Sequence, residues 1–104
     1  MNVRKEGTSL ILIPESDLIA SNIEELRDYF IEQLRQHSEF DHVRLDARGI
    51  DSVDSLGVNL IVGLYREVMS KSATIEVVGA GENFMKVANF FRLPSLFPIK
   101  PAEE

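Results

Sequence analysis

The sequence predicts an α/β domain in which a mixed β-sheet packs against α-helices. Segments of strand and helix character follow one another in the order β-β-α-β-α-β-α, and each interval between the later strands is long enough to hold a helix. The chain has 104 residues, of which 44% are hydrophobic and 27% charged, and these values fit one globular domain over residues 1–104. We therefore expect four to five strands, three to four helices and parallel crossover connections.

The N-terminal segment "MNVRKEGTSLILIP" predicts a hairpin. Residues 2–5 form a short edge strand, residues 6–8 form the turn, and residues 9–13 form a buried strand that ends at Pro14. A loop, "ESDLIA", follows the hairpin.

The first helix has a start signal and an apolar face. Ser21 and Glu24 have the spacing of a capping box, in which each side chain satisfies a free backbone amide. Apolar residues then recur at spacings of three and four, which predicts a helix that buries Ile23, Leu26, Phe30 and Leu34. The helix should end near Gln36 or His37.

The rest of the chain alternates strands and helices. We predict a strand over 42–47, a helix over 55–71 and a strand over 73–79, which is closed by the glycine turn "GAGE". A third helix from about residue 83 should bury Phe84, Val87, Ala88 and Phe91. The segment 95–101 predicts a terminal turn with a short strand, followed by a frayed tail.

Composition excludes several classes of function. A net charge of −6 and a pI near 4.9 argue against binding to nucleic acid or to acidic membranes. The chain has no cysteine, its N-terminal apolar stretch is too short for a signal peptide, and no segment approaches the length of a membrane span. These features predict a cytoplasmic protein without metal or cofactor. His37 and His42 have no cysteine or carboxylate cluster at ligand spacing, and no histidine base lies near Ser55 in sequence.

The second helix has a polar side and an apolar side when residues 55–70 are projected at 100° per residue. The polar and small residues fall within one arc: Ser55, Asn59, Gly63, Arg66, Glu67 and Ser70. The opposite side should be core: Val58, Leu60, Ile61, Val62, Leu64, Tyr65, Val68 and Met69. Leu56 projects into the polar arc, so we expect it to be partly exposed beside Ser55.

The start of this helix, Asp54-Ser55-Leu56-Gly57, allows two interpretations. Asp54 can be the N-cap and leave the Ser55 hydroxyl free, or Ser55 can have a plain capping role. Gly57 costs helix stability and is useful where something approaches the backbone closely. A phosphate on Ser55 would be compatible with the helix, because a helix N-terminus favours anions.

The segment "GIDSVDSLGVNLIVGLYREV" resembles the signature of STAS domains, the fold of bacterial anti-sigma factor antagonists: a strand, Asp-Ser-x-Gly and an apolar helix. The likeness covers nearly the whole chain. "LILIPESDLIASNIEELRDYF" is similar to the second strand, loop and first helix of the antagonists, and "ATIEVVGAGENFMKVANFFRLPSLFPI" to their last strand, third helix and closing segment.

The resemblance implies a phosphorylation switch and no enzymatic activity. Ser55 matches the serine that a GHKL-type kinase, itself an anti-sigma factor, phosphorylates and that a PP2C-type phosphatase restores. The resemblance also implies a partner-binding face near Ser55, with Asp17, Asp54 and Gly57 at the matching motif positions. We assign the polar-arc residues Leu56 and Asn59 of the second helix to the same face. Two departures leave the partner and the output open: the loop reads Pro-Glu-Ser-Asp where many antagonists have Gly-Glu-Leu-Asp, and Leu56 replaces a small or polar residue.

Two alternatives stay open at this stage. The domain could be a constitutive scaffold with an output such as secretion or biofilm control, in which Ser55 only caps the helix and the face of the second helix docks a partner. The "GAGENF" turn at 79–84 could instead bind a small ligand such as a nucleotide, although it lacks the full Gly-x-Gly-x-x-Gly spacing.

Overall fold

A computed structural model of the protein describes residues 1–37 and 39–102, and its core is a five-stranded mixed sheet. The strands lie in sequence order: β1 (Asn2–Glu6), β2 (Ser9–Ile13), β3 (His42–Asp46), β4 (Thr74–Ala80) and β5 (Ile99–Pro101). β1 pairs antiparallel with β2, and the remaining pairs are parallel. The predicted α/β class with a mixed sheet is confirmed.

Three helices connect the parallel strands: α1 (Ile23–Gln36), α2 (Ser55–Ser70) and α3 (Glu82–Phe90). Short 3-10 turns at Ala20–Asn22 and Leu93–Ser95 precede α1 and follow α3. The strands β1 to β4 and the three helices each begin within one residue of the predicted start, and β5 lies within the segment 95–101, for which a terminal turn with a short strand was predicted. In the described part of the chain, none of the helices combines the length and the hydropathy that crossing a membrane would require.

The two faces of the sheet differ because side chains alternate along each strand. The strand register aligns Leu10 with Val43 and Ile75, and it aligns Leu12 with Leu45 and Val77. These six side chains are buried in one cluster with the apolar faces of all three helices. The strands therefore place the helices on one face, and this face holds the core.

The opposite face of the sheet has a polar network centred on Glu76. His42 Nε2 donates a hydrogen bond to Glu76 Oε2 at 2.7 Å, and Lys100 Nζ lies 3.2 Å from Glu76 Oε1. The other ring nitrogen of His42 lies 2.7 Å from Thr74 Oγ1. The network joins β3, β4 and β5 on the side away from the helices.

The two edges of the sheet are built differently. β1 carries three consecutive charged residues, Arg4, Lys5 and Glu6, and most of its side chains are exposed. β5 has only three residues, ends at Pro101, and pairs with β4 through an irregular register.

The predicted capping box of Ser21 and Glu24 is wrong. Ser21 lies inside the 3-10 turn Ala20–Asn22, and Asn22 occupies the N-cap position of α1 without a capping side-chain hydrogen bond. Because the chain already turns at Ala20, Ser21 lacks the extended backbone that an N-cap residue normally has.

The predicted burial of Met69, Phe91 and Val87 needs correction. Met69 is 49% exposed, because the buried stripe of α2 is narrow and is formed by Gly57, Val58, Ile61, Leu64 and Val68. Phe91 is 43% exposed, since α3 ends at Phe90 and the chain turns through Arg92 in a left-handed conformation. Val87 is half-buried, as are three α2 residues that we expected in the core: Leu60, Val62 and Tyr65.

Glu76 should make the stability of the fold depend on pH. Burial raises the pKa of Glu76, but hydrogen bonds from His42 and Lys100 outweigh it and hold the pKa below its ordinary value of 4.5. The stabilisation is therefore present above about pH 4.5, the value in the unfolded chain, and is lost as pH falls through the lower folded-state pKa. Urea unfolding at a series of pH values should show a steeper loss of stability below pH 4.5 for wild type than for Glu76→Gln. Equal slopes for the two proteins would contradict this assignment.

Candidate functional site

Two loops from distant parts of the sequence meet at the carboxyl ends of β2 and β3. We call residues 17–20 and 51–54 together the two-loop junction. Leu18 and Val53 form an isolated parallel bridge. Leu18 N donates to Ser52 O at 2.9 Å, and Asp54 N donates to Leu18 O at 3.0 Å. The junction brings the segment before α1 against the segment before α2.

Asp17 holds the second loop through its carboxylate. Its Oδ1 accepts hydrogen bonds from Asp51 N at 2.8 Å and from Ser52 N at 3.2 Å. The backbone carbonyl of Asp17 accepts a further hydrogen bond from Asn22 Nδ2 at 3.0 Å. Asp17 therefore links the start of α1 to the loop that leads to Ser55.

Asp54 holds the first loop in the reciprocal way. Its Oδ1 accepts a hydrogen bond from Gly57 N at 2.9 Å, which makes Asp54 the N-cap of α2, and its Oδ2 accepts from Ala20 N at 2.8 Å. The hydrogen bonds from Gly57 and Ala20 lower the pKa of Asp54, so the carboxylate stays ionised. The interpretation with Asp54 as N-cap is the one that the structure supports.

Gly57 is required by the junction itself. A Cβ atom at this position would lie 2.0 Å from Leu18 O and 2.7 Å from Leu18 Cβ. Gly57 is buried, and the group that approaches it is the backbone of the protein's own loop. The contribution of Gly57 to the site is thus to let the two loops meet.

Ser55 is the first residue of α2 and is exposed. Within the described residues its hydroxyl has no hydrogen bond, since Asp54 supplies the helix cap. The unpaired amides and the dipole at the start of a helix favour a negative group there. The Ser55 hydroxyl is accessible for modification and is not needed to begin the helix.

Leu56 and Asn59 continue this surface onto a groove between α1 and α2. Both are exposed, Leu56 by 49%, and this confirms the projection of Leu56. The groove has a volume of about 420 Å³, and its lining residues come from both helices: Ile23, Arg27, Phe30, Ile31, Leu34, Leu56, Asn59, Leu60, Gly63, Leu64 and Glu67. Sequence reasoning missed the α1 side of this surface. The signal was Ile31, which lies off the buried stripe of α1 and is 46% exposed.

The predicted site residues fall into two groups. Asp17, Asp54 and Gly57 build the two-loop junction, and Ser55, Leu56 and Asn59 form the exposed surface beside it. The predicted "GAGE" turn is not formed, because Gly79 and Ala80 are the last residues of β4 and Gly81 is already the N-cap of α3. None of the predicted site residues belongs to this segment. Its Gly79 has a φ of 68°, and the side chain of Arg48 occupies the space beside it.

Comparison with known proteins gives a family and a fold. The family model of the STAS domain matches residues 1–104. Among curated proteins, none matches the sequence closely enough to count as a relative. The protein TM1081 of Thermotoga maritima, described as an anti-sigma factor antagonist, superposes with a TM-score of 0.84 at 18% identity, over 95% of this chain and 84% of that chain.

The anti-sigma factor antagonist SpoIIAA has the same fold in two states. The unphosphorylated form superposes with a TM-score of 0.67 at 15% identity, over 99% of this chain and 88% of that chain. The phosphorylated form of the Bacillus protein superposes with a TM-score of 0.65 at 18% identity, over 98% of this chain and 91% of that chain. These likenesses show the fold.

The two helical glycines Gly57 and Gly63 should respond in opposite ways to alanine. Gly57→Ala should destabilise the protein by about 3 kcal/mol, because its Cβ would overlap the backbone of Leu18. Gly63→Ala should stabilise it by about 0.5–1 kcal/mol, because a Cβ there meets open space and alanine favours a helix. Urea unfolding of both variants measures the difference. A Gly57→Ala protein as stable as wild type would show that the loops can separate without cost.

Urea unfolding can also distinguish the contributions of Asp54 and Ser55 to the stability of the helix start. Asp54→Ala removes the cap of α2 and the acceptor for Ala20 N, so its urea midpoint should be clearly lower than that of wild type. Ser55→Ala should leave the midpoint nearly unchanged, since the hydroxyl has no partner among the described residues. The reverse order would identify Ser55 as the capping residue.

Proposed function

This chain belongs to the STAS domain family, and from that premise we propose that it is a protein-binding switch of the anti-sigma factor antagonist type. In this proposal the unphosphorylated protein binds a serine kinase of the GHKL type that is also an anti-sigma factor. Phosphorylation of Ser55 releases the kinase, and a PP2C-type phosphatase restores the binding form. The chain supplies the acceptor hydroxyl and a binding surface, acts in the cytoplasm, and has no catalytic role or cofactor of its own.

The observation that carries the proposal is the division of labour between Asp54 and Ser55. Asp54 caps α2 and joins the two loops, whereas Ser55, one residue later, is exposed and leaves its hydroxyl unused within the described residues. A serine that served only as a cap would occupy the position of Asp54. Ser55 is thus free to accept a phosphoryl group.

The electrostatics of the site favour a switch in binding over a switch in fold. A phosphate adds about −1.5 to −2 charges at neutral pH. At the start of α2 it meets the positive end of the helix dipole, so the helix tolerates it. It also lies beside the ionised Asp54 and the exposed Leu56, on a protein whose net charge is already −6. Docking of an acidic or apolar partner surface is therefore opposed by repulsion and by the cost of desolvation.

The proposed partner-binding residues contribute in different ways. Leu56 and Asn59 are exposed on the turn that follows Ser55 and can contact a partner directly. Asp17 and Asp54 hold this turn in place by their hydrogen bonds to backbone amides. Asp17 Oδ2 has no hydrogen bond within the described residues, so one carboxylate oxygen remains available to a donor on the partner.

A second candidate function is a constitutive scaffold that binds its partner without modification. The exposed Leu56, at the mouth of the groove, supports it, because an apolar docking surface needs no phosphate. In that case Ser55 is only a surface residue of α2.

Phosphorylation and binding can be tested on one set of variants. Wild type and Ser55→Ala are incubated with ATP and host lysate, and their intact masses are measured. We expect one phosphoryl group on wild type alone. Binding of the kinase that modifies Ser55 should then be retained by Ser55→Ala and weakened about five- to thirtyfold by Ser55→Asp, since charge next to a buried contact costs on the order of 1–2 kcal/mol.

Leu56→Glu tests the docking surface that both candidates use, and phosphorylation of wild type distinguishes the two candidates. If Leu56→Glu abolishes binding while wild type is never phosphorylated by a lysate active on another substrate, the scaffold is correct and the switch is refuted. Equal affinity of Ser55→Ala and Ser55→Asp for the kinase would also refute the switch.

A further inference from the structure

We propose that the groove between α1 and α2 binds an aliphatic carboxylate of medium chain length. This ligand site goes beyond the proposed phosphorylation switch and does not depend on it. The groove volume of about 420 Å³ lies within the range of roughly 300–1,000 Å³ that is usual for small-molecule sites.

The groove is a long apolar slot. Because β2, β3 and β4 are parallel, α1 and α2 both run back along the sheet and lie parallel to each other. Their lining residues extend from Leu56 to Glu67 on α2, a length of about 16 Å at 1.5 Å per residue. Buried side chains of the core form its floor, among them Phe30, Leu34 and Leu64, and the half-exposed Ile31 and Leu56 lie at its rim.

Gly63 keeps the middle of the slot open. A glycine inside a helix costs about 1 kcal/mol relative to alanine, so its presence needs a reason. The fold gives none, since a Cβ on Gly63 would have no heavy atom within 4 Å apart from its chain neighbours and the adjacent backbone of its own helix. Gly57, six residues earlier, is required by the contact with Leu18. The consequence of Gly63 is local: any side chain at this position would project into the groove.

The charges at the rim select the head group and its direction. Arg27 and Asn59 lie in the half of the groove nearer Ser55, and Glu67 lies two turns further along α2. Arg27 is the one cationic lining residue in the described part of the chain, and it forms no ion pair there. A carboxylate head therefore binds at Arg27 with Asn59 as a hydrogen-bond donor, and repulsion from Glu67 directs the aliphatic tail past Gly63.

The width of the slot favours one aliphatic chain, and not a protein helix, as its occupant. α1 and α2 pack directly against each other, and packed helices have axes about 8–10 Å apart. A whole helix, about 10–12 Å across with its side chains, could only lie over the rim. An aliphatic chain is narrow enough to lie within the groove, over the buried floor and against Ile31 and Leu56.

Titration calorimetry with hexanoate, octanoate and decanoate, each below its micelle concentration, tests the proposal on the intact protein. We expect the affinity of wild type to rise about two- to fourfold per added methylene, as for partial to full burial of each group. Gly63→Phe should abolish binding of decanoate, because the ring fills the slot. Its circular dichroism spectrum should match that of wild type, since the position has free space.

Arg27→Gln tests the head group separately from the slot. It should weaken decanoate about two- to fivefold, the usual range for an exposed charge pair, and leave the affinity for decanol unchanged. Chemical shift changes of the isoleucine and leucine methyl groups should centre on Ile31, Leu56 and Leu60.

Three results would overturn the proposal: no binding of decanoate to wild type, unchanged binding to a folded Gly63→Phe protein, or equal affinity for decylammonium. None of these outcomes decides whether Ser55 is phosphorylated, so the two proposals can fail independently.

Discussion

The rest of the site depends on two aspartate side chains, Asp17 and Asp54, each of which accepts hydrogen bonds from backbone amides of the other residue's loop. Asp17 accepts two amides from the loop before α2, and Asp54 accepts one amide from the loop before α1 and one from its own helix. The approach is possible only because Gly57 leaves room for the carbonyl of Leu18. These contacts set where both helices begin, and therefore the position of Ser55 and the alignment of the two walls of the groove.

At this site, the groups that maintain the structure are different from the groups that are exposed to a partner. The groups that hold the loops together are buried or engaged in hydrogen bonds, whereas Ser55, Leu56 and Asn59 are exposed on the adjoining turn. A change in the charge of the surface can thus leave the junction intact. The proposed phosphorylation site and the proposed ligand groove are therefore neighbours. Leu56 and Asn59 belong to both, although one site accepts a phosphoryl group and the other binds an aliphatic ligand.

Local patterns in the sequence predicted the fold and part of the site. The strand alternation, the apolar stripe of α1 and the exposed Leu56 follow from periodicity alone. The capping box failed because Ala20 N already bonds to Asp54, a residue 34 positions away. Likewise, the sequence indicated that something approaches Gly57, but only the fold identifies Leu18. The groove is formed by residues of both α1 and α2, so the sequence pattern of either helix alone does not predict it. Met69 was misplaced because helix projection does not show how narrow the buried stripe of α2 is, and Phe91 was misplaced because α3 ends one residue before it.

The charged edge strand β1 and the short edge strand β5, which ends at a proline, affect whether copies of the protein can associate through the edges of their sheets. A sheet with open borders can extend by recruiting another chain, and such growth is hard to reverse. Here one border carries Arg4, Lys5 and Glu6, and the other offers only three residues and lacks an amide at Pro101. Both edges of the sheet therefore disfavour backbone pairing with a strand of another molecule. Contacts with other molecules are thereby left to side chains, which can be formed, broken and regulated one partner at a time.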